Sequence, residues 1–141
     1  GGYSNIKAER VKLEEVDKGA LSGSKYRFAE HKIGVLEVEK AGDEFGMYSN
    51  IKAGEVKLRE VGKRALNGGN DVKMRFTEHE IGVLEVEKAG DYLGTCSTLY
   101  TNKEKLKLGE NVKFGGEIKD IEERKMLNLW EKLKIWVRKG K

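Results

Sequence analysis

The chain has no proline and no glutamine, one cysteine and two histidines among its 141 residues. The lone cysteine, Cys96, excludes an intrachain disulfide and any zinc site built on several thiolates, and it favours a reducing, cytoplasmic setting. No Asn-x-Ser/Thr glycosylation acceptor occurs. No apolar run approaches the ~20 residues of a membrane span, and no secretory signal pattern opens the chain. The opening Gly1-Gly2 is set aside as a processed end. A Lys/Glu-rich chain without glutamine has a thermophile-like composition, whereas the lack of proline argues the other way.

What is present is patterned. Hydrophobic residues make up 38% and charged residues 37% of the chain, which suits one soluble globular domain spanning 1–141 rather than a disordered segment. The net charge of +4 is unevenly placed. Positions 123–141 hold seven basic residues (Arg124, Lys125, Lys132, Lys134, Arg138, Lys139 and Lys141) against Glu123 and Glu131, a net +5. The remainder is near neutral, at net −1.

The strongest signal is an internal repeat. "YSNIKAERVKLEEVDKGAL" (3–21) matches "YSNIKAGEVKLREVGKRAL" (48–66) at 14 of 19 positions. "FAEHKIGVLEVEKAGDEFGM" (28–47) matches "FTEHEIGVLEVEKAGDYLGT" (76–95) at 15 of 20. The joins differ in length within Gly/Ser/Asn-rich stretches, where loops tolerate change. This reads as an internal, gene-duplication-type pattern: unit one at 3–47, unit two at 48–95, and a partial third unit with a C-terminal helix in 96–141. Two units of ~45 residues are too few and too poor in helix to suggest a solenoid.

Within each unit the apolar period is mostly two. Leu36 and Val38 alternate with Glu37 and Glu39, Leu84 and Val86 with Glu85 and Glu87, and Val72, Met74 and Phe76 with Lys73 and Arg75. Such alternation marks half-buried strands. His79-Glu80-Ile81-Gly82 is placed as a hairpin turn, and "KAGD" as a second turn. Val56 and Leu58 fit a strand, while Leu58, Val61 and Ala65 before Asn67-Gly68-Gly69 also fit a short helix. The expected fold is mainly β, an internally duplicated β-barrel or β-sandwich of seven to nine strands. The duplicated unit ending in "AGD" resembles the cradle-loop barrels, which implies a barrel and nothing about function.

The last segment differs. Met126, Leu129, Trp130, Leu133, Trp136 and Val137 recur at three- and four-residue steps, which predicts an amphipathic helix with one apolar stripe. Upstream, "VKFGGEIKDI" is either a hairpin with a Gly115-Gly116 turn or the approach to a helix starting at Glu117.

No catalytic constellation emerges. Glu30-His31 and Glu78-His79 pair a base with a carboxylate, but neighbours on a strand point to opposite faces, so they form no dyad. A metal held between His31 and His79 is the long shot; turn residues of a surface hairpin are the plainer reading. Glu37/Glu39 and Glu85/Glu87 could hold a hard cation, but they read as a solvated strand face matched by Lys57 and Lys73. "NGGNDVK" and "KFGGEIK" lack phosphate-loop spacing. Cys96 reads as a structural thiol, and Tyr3, Tyr48 and Tyr100 as packing residues that open each unit. The expectation is therefore a non-enzymatic structural, assembly or protein-binding module without cofactor. Its terminal helix would seal the core or dock on a neighbouring subunit, as in a homo-oligomer. The alternative is nucleic-acid binding through the basic tail. Peripheral membrane contact by the Trp130/Trp136 stripe ranks below both.

Overall fold

The computed structural model describes residues 5–69 and 76–139. Seven strands, β1 (Lys7–Val16), β2 (Ala29–Ala41), β3 (Ser49–Val61), β4 (Thr77–Ala89), β5 (Ser97–Thr101), β6 (Lys107–Leu108) and β7 (Glu117–Asp120), precede one helix, α1 (Ile121–Lys139). The fold is mainly β, as expected, but every strand pair is parallel. The sheet is open, in the order β1-β2-β3-β4-β5-β7 with β6 beside β4. This replaces the expected barrel or sandwich of hairpins. The His79-Glu80-Ile81-Gly82 stretch is no turn but lies inside the 13-residue β4, as His31 lies inside β2. The stretch left between strand and helix is strand up to Val61, since β3 runs continuously through Val56 and Leu58, and then a turn over 63–66.

Parallel neighbours require the chain to travel a full circuit between strands. Among the described residues it does so without crossover helices. The turns stack in the same order as the strands: Gly46 N–H bonds to Ala20 O, Leu66 N–H to Phe45 O, and Gly94 N–H to Ala65 O. The chain is thus a short solenoid of five coils followed by α1, the architecture that the length of the visible repeat argued against. Each ~45-residue repeat is two coils, not one folded unit.

Inward side chains form ladders along the stack. Val11, Leu36, Val56 and Leu84 occupy one rung series, and Leu13, Val38, Leu58 and Val86 another. From the second coil onward these residues are fully buried; in β1, the open edge, they are only partly covered. The alternation changes phase at Gly34, where Ile33 and Leu36 both point inward, so the strand bends around a corner. Glycine is required at that corner because adjacent coils approach closely: a Cβ on Gly82 would lie 2.6 Å from Gly54 O.

Side chains complete the stack. Asn50 Oδ1 accepts from Glu78 N–H and Asn67 Oδ1 from Thr95 N–H, 28 residues further on in each case. Asp43 and Asp91 accept from Lys63 N–H and Arg64 N–H, so the repeated "AGD" ties neighbouring turns together. The "VKFGGEIKDI" stretch resolves as a turn leading into β7, with α1 starting at Ile121. Asp120 Oδ1 caps the helix through Glu122 N–H at 2.9 Å, and Glu122 and Glu123 suit its positive end.

Candidate interaction surfaces

The two histidines are placed by the stacking itself. His31 and His79 point inward on a rung series that runs Ile6, His31, Ile51, His79, Leu99. Each ring spans two coils. Nδ1 of His31 accepts from Ile6 N–H at 3.1 Å, while its Nε2–H donates to Leu21 O at 2.8 Å. Nδ1 of His79 accepts from Ile51 N–H at 3.3 Å, while its Nε2–H donates to Leu66 O at 3.1 Å. Both nitrogens are occupied, which fixes the neutral Nε2–H tautomer. Burial holds the His79 pKa down at about 4, against an opposing hydrogen bond to Leu66 and with a smaller contribution from His31. The rings lie two strand spacings apart, roughly 9.5 Å. The metal reading therefore fails on geometry, and no metal-competent cluster occurs among the described residues. The hairpin-turn reading fails as well: these are buried clasps between coils.

The paired carboxylates do form a solvated face. Lys57 sits between Glu37 and Glu85 in register, and Arg59 reaches Glu39 at 3.0 Å and Glu87 at 3.9 Å. Lys73, Val72 and Met74 fall outside the described residues, as does Tyr3. Cys96 is half-buried in a turn at φ 59°. Tyr48 stacks on Phe28, with ring centroids 6.3 Å apart. Tyr100 is buried under Arg124, whose guanidinium sits 5.4 Å from the ring centroid.

The six stripe residues share α1, and none is covered by the chain's own sheet. Met126, Leu129, Trp130, Leu133, Trp136 and Val137 are between 45% and 70% exposed, and Leu127 and Ile135 on other faces are also open. The helix meets the body at β4, β5 and β7, with Arg124 of its first turn bound to Glu80. Within this chain it therefore does not seal the core with its stripe. At its base, around Ile121, an open apolar groove of about 830 Å³ runs along Ala8, Gly34, Ala53 and Gly54.

The basic tail is less uniform than its composition. Arg124 belongs to the anchor: Nε donates to Glu80 at 2.7 Å and Nη2 lies 3.2 Å from Glu78, which raises its pKa further. Lys125 pairs with Glu122 at 3.1 Å. Lys132 and Lys134 lie on the exposed helix; Lys141 lies outside the described residues, and Arg138 and Lys139 are described by backbone alone. No described helix is long and apolar enough to cross a membrane.

Sequence reasoning missed a second surface. A cleft of about 900 Å³ opens on the outer face of the sheet beside the loop after Gly23, with Tyr26 and Phe76 among its lining residues. The unequal joins between the repeats were its only trace. Compared with known protein families, characterised proteins and solved structures, the chain finds no match.

Proposed function

We propose that the protein is a non-enzymatic assembly module: a rigid β scaffold that presents α1 for docking on a second copy of itself. The observation that carries this reading is the uncovered stripe on α1. The six stripe residues present roughly 700 Å² of accessible surface, close to the ~800 Å² per partner of a standard interface. Met126, Leu129, Leu133 and Trp136 fall at the a and d positions of two heptads, the spacing with which one helix packs against another. A soluble monomer rarely leaves a patch of this size open.

Nucleic-acid binding through the tail ranks second because two of its cations already serve ion pairs: Arg124 with Glu78 and Glu80, and Lys125 with Glu122. Sedimentation of the wild type and of a Trp130→Lys/Trp136→Lys variant across a hundredfold concentration range separates the readings. The expected result is a wild-type oligomer that dissociates on dilution and a variant that stays monomeric. A monomeric wild type at high concentration, with affinity for duplex DNA that falls steeply with salt, would replace assembly with the second reading.

A further inference from the structure

We infer that the face carrying the two longer coils is a binding site for a neutral oligosaccharide. A coil of this fold closes in 20 residues, as the register of β2 with β3 and of β4 with β5 requires. The first and third coils have offsets of 25 and 28, five and eight residues longer. The core has no use for the extra residues, because the inward ladders stay in register across both coils. In stacked-repeat proteins such insertions gather on one face, often the binding face.

Both longer coils keep to the stack up to the same place in the circuit, where Gly23 N–H bonds to Met47 O and Gly68 N–H to Thr95 O. Tyr26 and Phe28 of the first long join, and Phe76 directly before β4, line one cleft. Tyr26 is 87% exposed and Phe76 61% exposed, so both rings are open to a ligand, and Lys25 Nζ lies 5.1 Å from the Tyr26 ring centroid. By register Phe28, Tyr48 and Phe76 occupy successive coils.

The polar floor selects the ligand class. Glu30, Asn50, Glu78 and Thr98 follow one another outward-facing across four coils. The charges around them cancel: Glu30, Glu78 and Glu80 against Lys25, Lys52 and Arg124. Several are already held. Arg124 clamps Glu78 and Glu80, Lys52 lies 3.8 Å from Glu80, and Asn50 Nδ2 donates to Glu30 at 2.9 Å. A polyanion would meet three carboxylates and a polycation three cations. A pyranose chain meets neither penalty. Its C–H faces suit flat rings, and its hydroxyls can both donate to fixed carboxylates and accept from Asn and Lys. The two long coils stand roughly 9.5 Å apart along the stack, so the site spans more than one sugar ring. A cleft of about 900 Å³ is within the range of sites that take such ligands.

The test is amide chemical-shift titration of the full chain with cellohexaose, chitohexaose and a heparin-derived hexasaccharide. The expected result is movement of the Glu30, Asn50, Glu78 and Thr98 amides with at least one neutral hexasaccharide. Tyr26→Ala and Phe76→Ala should each weaken that binding about tenfold. Both side chains are exposed, so thermal melting should be unchanged and the comparison does not depend on folding. Silence of those amides with both neutral probes at millimolar concentration overturns the inference. So does tighter binding of the heparin fragment, or alanine variants that bind like wild type. Association through α1 is read separately by sedimentation, so either reading can fail without the other.

Discussion

Acidification between pH 6.5 and pH 4 should destabilise the protein through one side chain, His79. The ring is completely buried and acts in its neutral form, Nδ1 accepting from Ile51 N–H and Nε2–H donating to Leu66 O. Protonation would place a second N–H against the Ile51 donor and a charge in an apolar stack, which is why the folded pKa falls from 6.5 to about 4. The unfolded chain takes up its proton near 6.5 and the folded chain near 4. Stability from this group is therefore complete above pH 6.5 and is lost as pH falls through that window. The gap between the two values corresponds to roughly 3 kcal/mol, a slope approaching 1.4 kcal/mol per pH unit near pH 5. Urea unfolding at constant ionic strength from pH 7.5 to 4 measures it. His79→Leu is the control: Ile51 and Leu99 are aliphatic on the adjoining rungs, so leucine suits the stack. The variant loses two hydrogen bonds and should cost about 2–4 kcal/mol at pH 7. Contributions from all other groups are common to the two proteins and cancel in the difference. Wild-type and variant stability curves that run parallel from pH 7 to 4 would refute the reasoning.

Two further outcomes test the stack. Gly82→Ala places a Cβ 2.6 Å from Gly54 O in mid-stack, where coils on both sides resist movement, and should lower stability by about 2–3 kcal/mol in urea melts. Gly34→Ala makes a similar approach to Glu9 O, but β1 is an edge strand free to shift, so its cost should be smaller. Val56 lies beside Leu84 with both side chains fully buried, and Val56→Leu should overpack this layer by about 1–3 kcal/mol. Adding Leu84→Val should recover part of that loss, giving a coupling of about 1 kcal/mol in a double-mutant cycle; strict additivity would show that neighbouring rungs do not share volume.

Period-two alternation made the strands and their buried face legible, and three- and four-residue spacing did the same for α1 and its stripe. What alternation does not carry is the direction of the neighbour. Leu36 and Leu84 look alike whether their strands pair in hairpins or return after a full circuit, since a half-buried strand has the same pattern in both. The discriminating signal was the corner. Ile33 and Leu36 both face inward across Gly34, so alternation breaks within one continuous strand, and a break beside glycine invites reading as a turn. The histidines misled for a related reason: a polar residue at a strand's centre suggests a surface turn, unless both its nitrogens find backbone partners. Exposure of the α1 stripe was beyond reach, because an apolar helical face is the same sequence whether covered or open.

The length of the visible repeat follows from how neighbouring coils fit. Along four inward ladders the side chains alternate between two sets: Ala8, Ile33, Ala53, Ile81; Val11, Leu36, Val56, Leu84; Val16, Ala41, Val61, Ala89; Ala20, Phe45, Ala65, Leu93. A large residue in one coil meets a small one in the next, so adjacent coils are complementary rather than alike, and close packing is kept without any two coils competing for the same volume. Identity therefore recurs only at every second coil. The loop lengths obey the same rule, with the long joins in the first and third coils and short ones in the second and fourth. One coil type supplies the histidine clasps, and the other carries the longer joins. The scaffold and its outward-facing surface are thus divided between two alternating coils, and the 20-residue period of the fold is hidden beneath the longer period of the sequence.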